Sequence, residues 1–113
     1  MNIQIFGTKK CNDTKKAQRY FKERGIKFQF IDLNEKEMSK GEFRSVCQAV
    51  GGIHAMINEE CKDKDALALV KFIAEDEREE KLLANRQAMK TPIVRNGKQA
   101  TVGYAPEAWK RWE

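Results

Sequence analysis

The chain has 113 residues, 35% of them charged and 41% hydrophobic, with a formal net charge of +5. That length suits one domain that folds without disulfides or a structural metal, since a chain of this size buries roughly two-thirds of its unfolded surface. No apolar run approaches the ~20 residues of a membrane span, and the opening Met1-Asn2-Ile3-Gln4-Ile5-Phe6 lacks the basic-then-apolar layout of a signal peptide. Cys11, Cys47 and Cys61 leave one cysteine unpaired, a poor secreted framework, and with a single histidine they match no common zinc spacing. Membrane, secreted and disordered classes are excluded, and a cytoplasmic domain is expected.

Ile3, Ile5 and Gly7 read as a first strand ending in a loop that runs to Lys10. Asn12 and Asp13 start a helix in which Ala17, Tyr20, Phe21 and Arg24 recur at helical spacing until Gly25. Phe28, Phe30 and Ile31 to Leu33 form a second strand, which makes a βαβ unit with parallel strands. Ser39 with Glu42 is a capping box, and Phe43, Val46, Cys47 and Val50 share one face before Gly51-Gly52 ends that helix. After a short segment at Ile53 to Ile57, helices are expected around Asp65 to Ile73 and Asp76 to Asn85, the latter acidic first and basic later. Thr91 to Arg95 and Gln99 to Val102 flank Asn96-Gly97, a hairpin signal because both turn residues tolerate positive φ. Pro106 opens a closing helix with Ala105, Trp109 and Trp112 as its apolar stripe. The order β-α-β, helical insert, β-β-α predicts an α/β, thioredoxin-like fold with a mixed four-stranded sheet.

Charge is unevenly placed. Residues 1–27 hold eight basic and two acidic residues, while the remainder sums to −1, so the positive excess surrounds Cys11. This is either a solvated basic helix face or an anion-attracting site; no nucleic-acid motif or interleaved aromatic pattern accompanies the lysines. Cys11 falls where the first strand gives way to the first helix. A thiolate there meets free backbone N–H groups and the positive end of the helix dipole, with Lys9, Lys10, Lys15 and Lys16 nearby. Both effects lower a thiol pKa and raise its reactive fraction, against the alternative of a buried structural cysteine.

Thr14 sits where a dithiol motif has its second cysteine. Its hydroxyl either donates to the Cys11 thiolate or caps the first turn. Resolution of a Cys11 adduct therefore needs a small thiol, another protein or a distant cysteine. Cys47 is in register with core positions, Cys61 reads as an exposed incidental thiol among acids, and His54 has no visible partner. Pro92 is either an ordinary strand-start proline or a cis residue exposing the Thr91 backbone to a peptide-like ligand.

The stretch Ile5-Phe6-Gly7-Thr8-Lys9-Lys10-Cys11-Asn12-Asp13-Thr14-Lys15-Lys16-Ala17, with Thr91-Pro92-Ile93-Val94 and Val102-Gly103-Tyr104, resembles the arsenate reductase (ArsC)/Spx/YffB family across essentially the whole chain. The resemblance implies one domain over 1–113, with thioredoxin-like halves at about 1–35 and 88–113 and a helical insert at about 36–87. It implies Cys11 as redox nucleophile, and the residues around that position, Asn12, Asp13, Thr14, Lys10 and Lys15, are the ones expected to stabilise its thiolate. It also implies a cis Pro92 and a glutathione- or substrate-binding place at Thr91 and Pro92, which Arg95 joins if strand alternation aims it inward. Glutathione is the implied co-substrate and glutaredoxin the implied protein partner, with no bound cofactor, no metal, no membrane and no direct nucleic acid.

Two departures bear on the branch. Arsenate reductases of this type hold the oxyanion with three arginines, whose places fall near Asn58, at Thr91 and near Gly103-Tyr104, none of them arginine here. Arsenate reduction is therefore doubtful, because bidentate oxyanion donors are lost. The alternative is an Spx-like regulator of the RNA polymerase α-subunit, but Spx proteins usually carry Cys-x-x-Cys and a basic tail, whereas this chain has Cys11 with Thr14 and reads to Trp112-Glu113. Gly51-Gly52 lies near the Spx polymerase-contact glycine, and a helix-ending pair explains it as well.

Overall fold

In the computed structural model, which describes residues 1–113, strand β1 (Ile3–Gly7) has Ile5, Phe6 and Gly7 all buried, so it is covered on both faces. Successive strand residues point to opposite sides. Ile3 and Ile5 accordingly pack with Ala17, Tyr20, Phe21 and Trp109, while Phe6 packs with Phe43, Val46, Met56 and Leu82. Strands β2 (Phe28–Asp32), β3 (Ile93–Asn96) and β4 (Gln99–Val102) complete one sheet in the order β2-β1-β3-β4. β1 pairs parallel with β2 and antiparallel with β3, and β3 pairs antiparallel with β4. This is the mixed sheet of a thioredoxin-like fold.

Helix α1 (Asn12–Glu23) crosses from β1 to β2 and shares its face of the sheet with α5 (Pro106–Trp112). Trp109 is the keystone there. Its ring lies 5.1 Å from Tyr20 and 5.2 Å from Phe21, and its indole N–H donates to the Thr101 hydroxyl at 2.8 Å. The opposite face carries the insert: α2 (Lys40–Val50), α3 (Lys64–Phe72) and α4 (Glu75–Ala84), with short 3₁₀ turns at Ile53–Met56 and Arg86–Ala88.

Local signals set the boundaries. Both halves of the Ser39–Glu42 capping box are formed, and Gly51 at φ 91° ends α2. The Asp63 side chain accepts from the Ala66 N–H to start α3. The buried Arg78 guanidinium then joins α4 to α3: it donates to the carbonyls of Val70 at 2.9 Å and of Lys71 and Ile73 at 3.2 Å, and pairs with Glu75. These carbonyls lie at the end of α3 and lack helical partners.

The hairpin differs from expectation by one position. Asn96 pairs with Gln99, so the turn residues are Gly97 and Lys98, and only Gly97, at φ 62°, has positive φ. A glycine in the first turn position satisfies the Gly-first hairpin turn, which leaves Asn96 in the strand. Cys61 is also corrected: it is 3% exposed and belongs to the core under α3 and α4. Its acidic neighbours face water while its own side chain turns inward. No helix is long and apolar enough to cross a membrane.

Candidate active site

The loop after β1 brings Cys11 to the N-cap of α1, with extended backbone (φ −76°, ψ 118°). Its carbonyl accepts the Lys15 N–H at 3.1 Å, the first helical hydrogen bond, which leaves the next N–H groups directed at the sulfur. Cys11 itself, not Asn12, is the cap residue, and Asn12 is exposed.

Thr91 reaches the sulfur from the other half of the chain. Its hydroxyl donates to Cys11 Sγ at 3.2 Å, and its carbonyl oxygen lies 3.8 Å from the same atom. The Thr91–Pro92 bond is cis. The Pro92 carbonyl accepts the N–H of Gly103 at 2.8 Å, and Gly103 takes φ 79° to present it. Gly103 thus fastens the Thr91–Pro92 segment to the strand beside it.

Thr14 is wholly buried, and its hydroxyl has no hydrogen-bond partner of its own. A charged sulfur supplies one. Burial alone pushes the Cys11 thiol up, but hydrogen bonds from the Thr14 hydroxyl, the Thr91 hydroxyl and the backbone N–H groups of Thr14 and Asp13 outweigh it, and the pKa is held below the ordinary thiol value. Lys10 and Lys15, expected to share in this, are not among these partners and stand exposed. Asp13 acts through its backbone, while its carboxylate lies 4.0 Å from Lys16.

Arg95 is a correction. It lies on the same side of β3 as Ile93, two residues further along, where it faces α2 and not the thiol. Its guanidinium donates to Gln4 at 2.9 Å and to Ser45 at 3.5 Å and lies 3.9 Å from Glu42. Asn58, near which the first of the three family arginine places was expected, uses its N–H on the Ala88 carbonyl at 2.8 Å. No arginine is among the hydrogen-bond partners of Cys11.

Two residues that the sequence reading named without a role at the site prove to shape it. Gly7 ends β1 against Thr14: a Cβ there would lie 2.6 Å from the Thr14 methyl carbon and nearer still to its hydroxyl. Gly103 is the other. A glycine closing a strand just before a cysteine loop is the only signal the first one left. The remaining thiols differ from Cys11. Cys47 is half-buried with its sulfur 3.2 Å from Met56 Sδ, and burial pushes its pKa up to about 11. Cys61 is buried. No group of three His, Cys, Asp or Glu side chains is placed to hold a metal ion.

The family model described as "ArsC family" matches residues 6–112. The uncharacterized protein YusI of Bacillus subtilis (strain 168) is 24% identical over 117 residues, covering 97% of each chain. Among solved structures, an arsenate reductase from Vibrio cholerae superposes with a TM-score of 0.82 at 23% identity, covering 98% of this chain and 97% of that one. The protein SACOL0876 from Staphylococcus aureus COL gives 0.77 at 23% identity, with 96% of each chain covered.

Proposed function

The chain belongs to the ArsC family, and from that premise we propose that it is a thiol–disulfide oxidoreductase with Cys11 as its single nucleophile and glutathione, or a glutaredoxin, as the resolving thiol. One observation carries this reading: a half-exposed sulfur whose pKa is lowered by two threonine hydroxyls and two backbone N–H groups, with a threonine in the place of a second cysteine. Such a site favours the attacking thiolate and has no neighbouring thiol to resolve its adduct.

The Cys11 thiolate attacks one sulfur of a substrate disulfide; a new S–S bond forms to Cys11 as the old one breaks, and the displaced sulfur leaves as a thiolate. With a glutathionylated substrate, glutathione stays on Cys11 and the substrate thiol is freed. A second glutathione thiolate then attacks that adduct, releasing the Cys11 thiolate and departing as oxidised glutathione. The hydroxyls of Thr14 and Thr91 serve the sulfur each time it carries charge. The backbone at Thr91 and Pro92 holds the peptide-like part of the thiol. Thiol turnover of this kind suits the reducing cytoplasm.

Arsenate reduction is not part of this reading, because no guanidinium stands at the sulfur to orient an oxyanion. A polymerase contact draws no support from Gly51 and Gly52, whose φ values of 91° and 132° serve to end α2. The test is peptide mass spectrometry of the reduced protein after exposure to oxidised glutathione near neutral pH. A fast adduct confined to Cys11, removed again by reduced glutathione, is expected. A folded protein whose Cys11 stays unmodified overturns the reading.

A further inference from the structure

Helix α3 leaves its last aromatic outside the fold. Phe72 is 81% exposed and Leu69, one turn earlier, 41%, whereas Ala66 and Val70 on the inner face are buried. The surroundings of Phe72 are acidic: residues 59–80 hold nine acidic and four basic side chains. Two of those cations are already committed, Lys71 to Glu59 at 2.6 Å and Arg78 to Glu75. Asp76 and Glu77, in the first turn of α4 four and five residues further along the chain, are exposed.

A feature of opposite character lies at the turn from α1 to β2. A shallow hollow of about 560 Å³ is lined by Lys22, Gly25, Ile26, Lys27 and Phe28. Ile26 and Phe28 form a half-buried apolar floor, and Lys22 and Lys27 are exposed at its rim. Gly25, at φ 67°, makes the turn that ends α1 beside it. α1 and the insert cover opposite faces of the sheet. Phe72 therefore cannot reach the hollow of its own molecule.

We infer that the chain associates with itself head to tail, Phe72 and Leu69 of one copy seating in the Lys22–Ile26–Lys27–Phe28 hollow of the next. Asp76 and Glu77 then face Lys22 and Lys27. Apolar surface meets apolar surface, and an acidic rim meets a basic one. A phenyl ring between ammonium groups is favoured by its quadrupole, and Lys71 Nζ already lies 5.8 Å from the Phe72 ring centre. Two different patches meet, so the contact is heterologous and extends beyond a dimer unless a ring closes it. With one aromatic anchor and solvent-exposed charges, it is weak and salt-sensitive. The hollow sits at the far end of α1, about 18 Å from Cys11, so assembly leaves the thiol accessible.

Sedimentation velocity of the full chain, under reducing conditions that block disulfide links, tests this. At low ionic strength the weight-average sedimentation coefficient rises over a roughly hundredfold increase in concentration, and the rise disappears near about 0.5 M salt. Phe72→Ser and the pair Lys22→Glu with Lys27→Glu each abolish the rise; all three positions are on the surface, and an unchanged melting temperature verifies the fold. An equimolar mixture of the two variants regains association but stops at heterodimers, because each supplies only one half of the contact. A wild-type chain that stays monomeric at low salt, a variant that associates like wild type, or a mixture that stays monomeric overturns the inference.

Discussion

The hydroxyl of Thr91 donates to the sulfur of Cys11 across 3.2 Å, although 80 positions separate the two residues. The nucleophile belongs to the first half of the chain and one of its two hydroxyl donors to the second. The antiparallel pairing of β1 with β3, which sets Phe6 opposite Ile93, brings them together. The chemistry of the thiol is thus a property of the closed sheet and not of the cysteine loop alone.

Removing either hydroxyl should make Cys11 less acidic. A hydrogen bond to a charged group is worth ~1.5–3 kcal/mol when sheltered, and less at a half-exposed sulfur. Thr91→Val and Thr14→Val are each expected to raise the Cys11 pKa and to slow its alkylation by iodoacetamide at pH 7. The pH–rate profile of each variant checks this. Thr14→Val also removes a buried, unpaired hydroxyl, so its stability should hold while its thiol reactivity falls.

The thiols should separate by pH. Because the folded Cys11 pKa lies below its unfolded value, its ionisation stabilises the fold above the unfolded value, and that contribution is lost as pH falls through the folded one. Cys47 has the reverse sign: its pKa rises to about 11, so its contribution is present below the ordinary thiol value and lost as pH rises toward about 11. Alkylation of the native protein followed by peptide mapping should label Cys11 at neutral pH and spare Cys47 and Cys61. Equal labelling of all three would contradict the assignment.

Gly7→Ala should damage stability and the site together. The new methyl group lands 2.6 Å from Thr14 Cγ2, so the strand end or α1 must shift. Overpacking of this kind costs ~1–3 kcal/mol. Thr14→Ala made in the same chain removes both close contacts and should recover much of the loss. Urea unfolding of the two single variants and the double variant measures the coupling.

Arg78→Met is expected to destabilise by about 2–4 kcal/mol, because it strands the carbonyls of Val70, Lys71 and Ile73 that the guanidinium now satisfies. Arg78→Lys should recover only part of this, since one ammonium group cannot copy the fork. Urea midpoints compare the three proteins, and Cys11 alkylation should change little while the fold persists.

Most of the architecture was legible because the chain marks its own boundaries. Ser39 with Glu42, Gly51 and Pro106 each impose a backbone state that only one structure satisfies, and Ala17, Tyr20 and Phe21 have a helical period. The Cys11 position was legible for the same reason, being the junction of a strand and a helix. What failed depended on where side chains point. Asn96-Gly97 and Gly97-Lys98 both accommodate a glycine turn, and strand pairing chose the second. Cys61 is flanked by charges, yet its direction is set by the packing of α3 and α4. Arg95 shares a strand face with Ile93 but lies two residues further along, where α2 supplies its partners. Thr91 was expected to work through its backbone, and its hydroxyl proves equally placed.

The insert that parts the two halves also sets when the site comes into being. During synthesis Cys11 emerges well ahead of Thr91, and a helix of 12 residues is marginal on its own in water. Until the last strands arrive, Cys11 is an unexceptional thiol, mostly protonated at neutral pH and slow to form mixed disulfides. An enhanced reactivity of Cys11 therefore marks a molecule whose two halves have closed. The ratio of label on Cys11 to label on Cys47 and Cys61, read by peptide mapping after a brief probe at pH 7, would report the folded fraction.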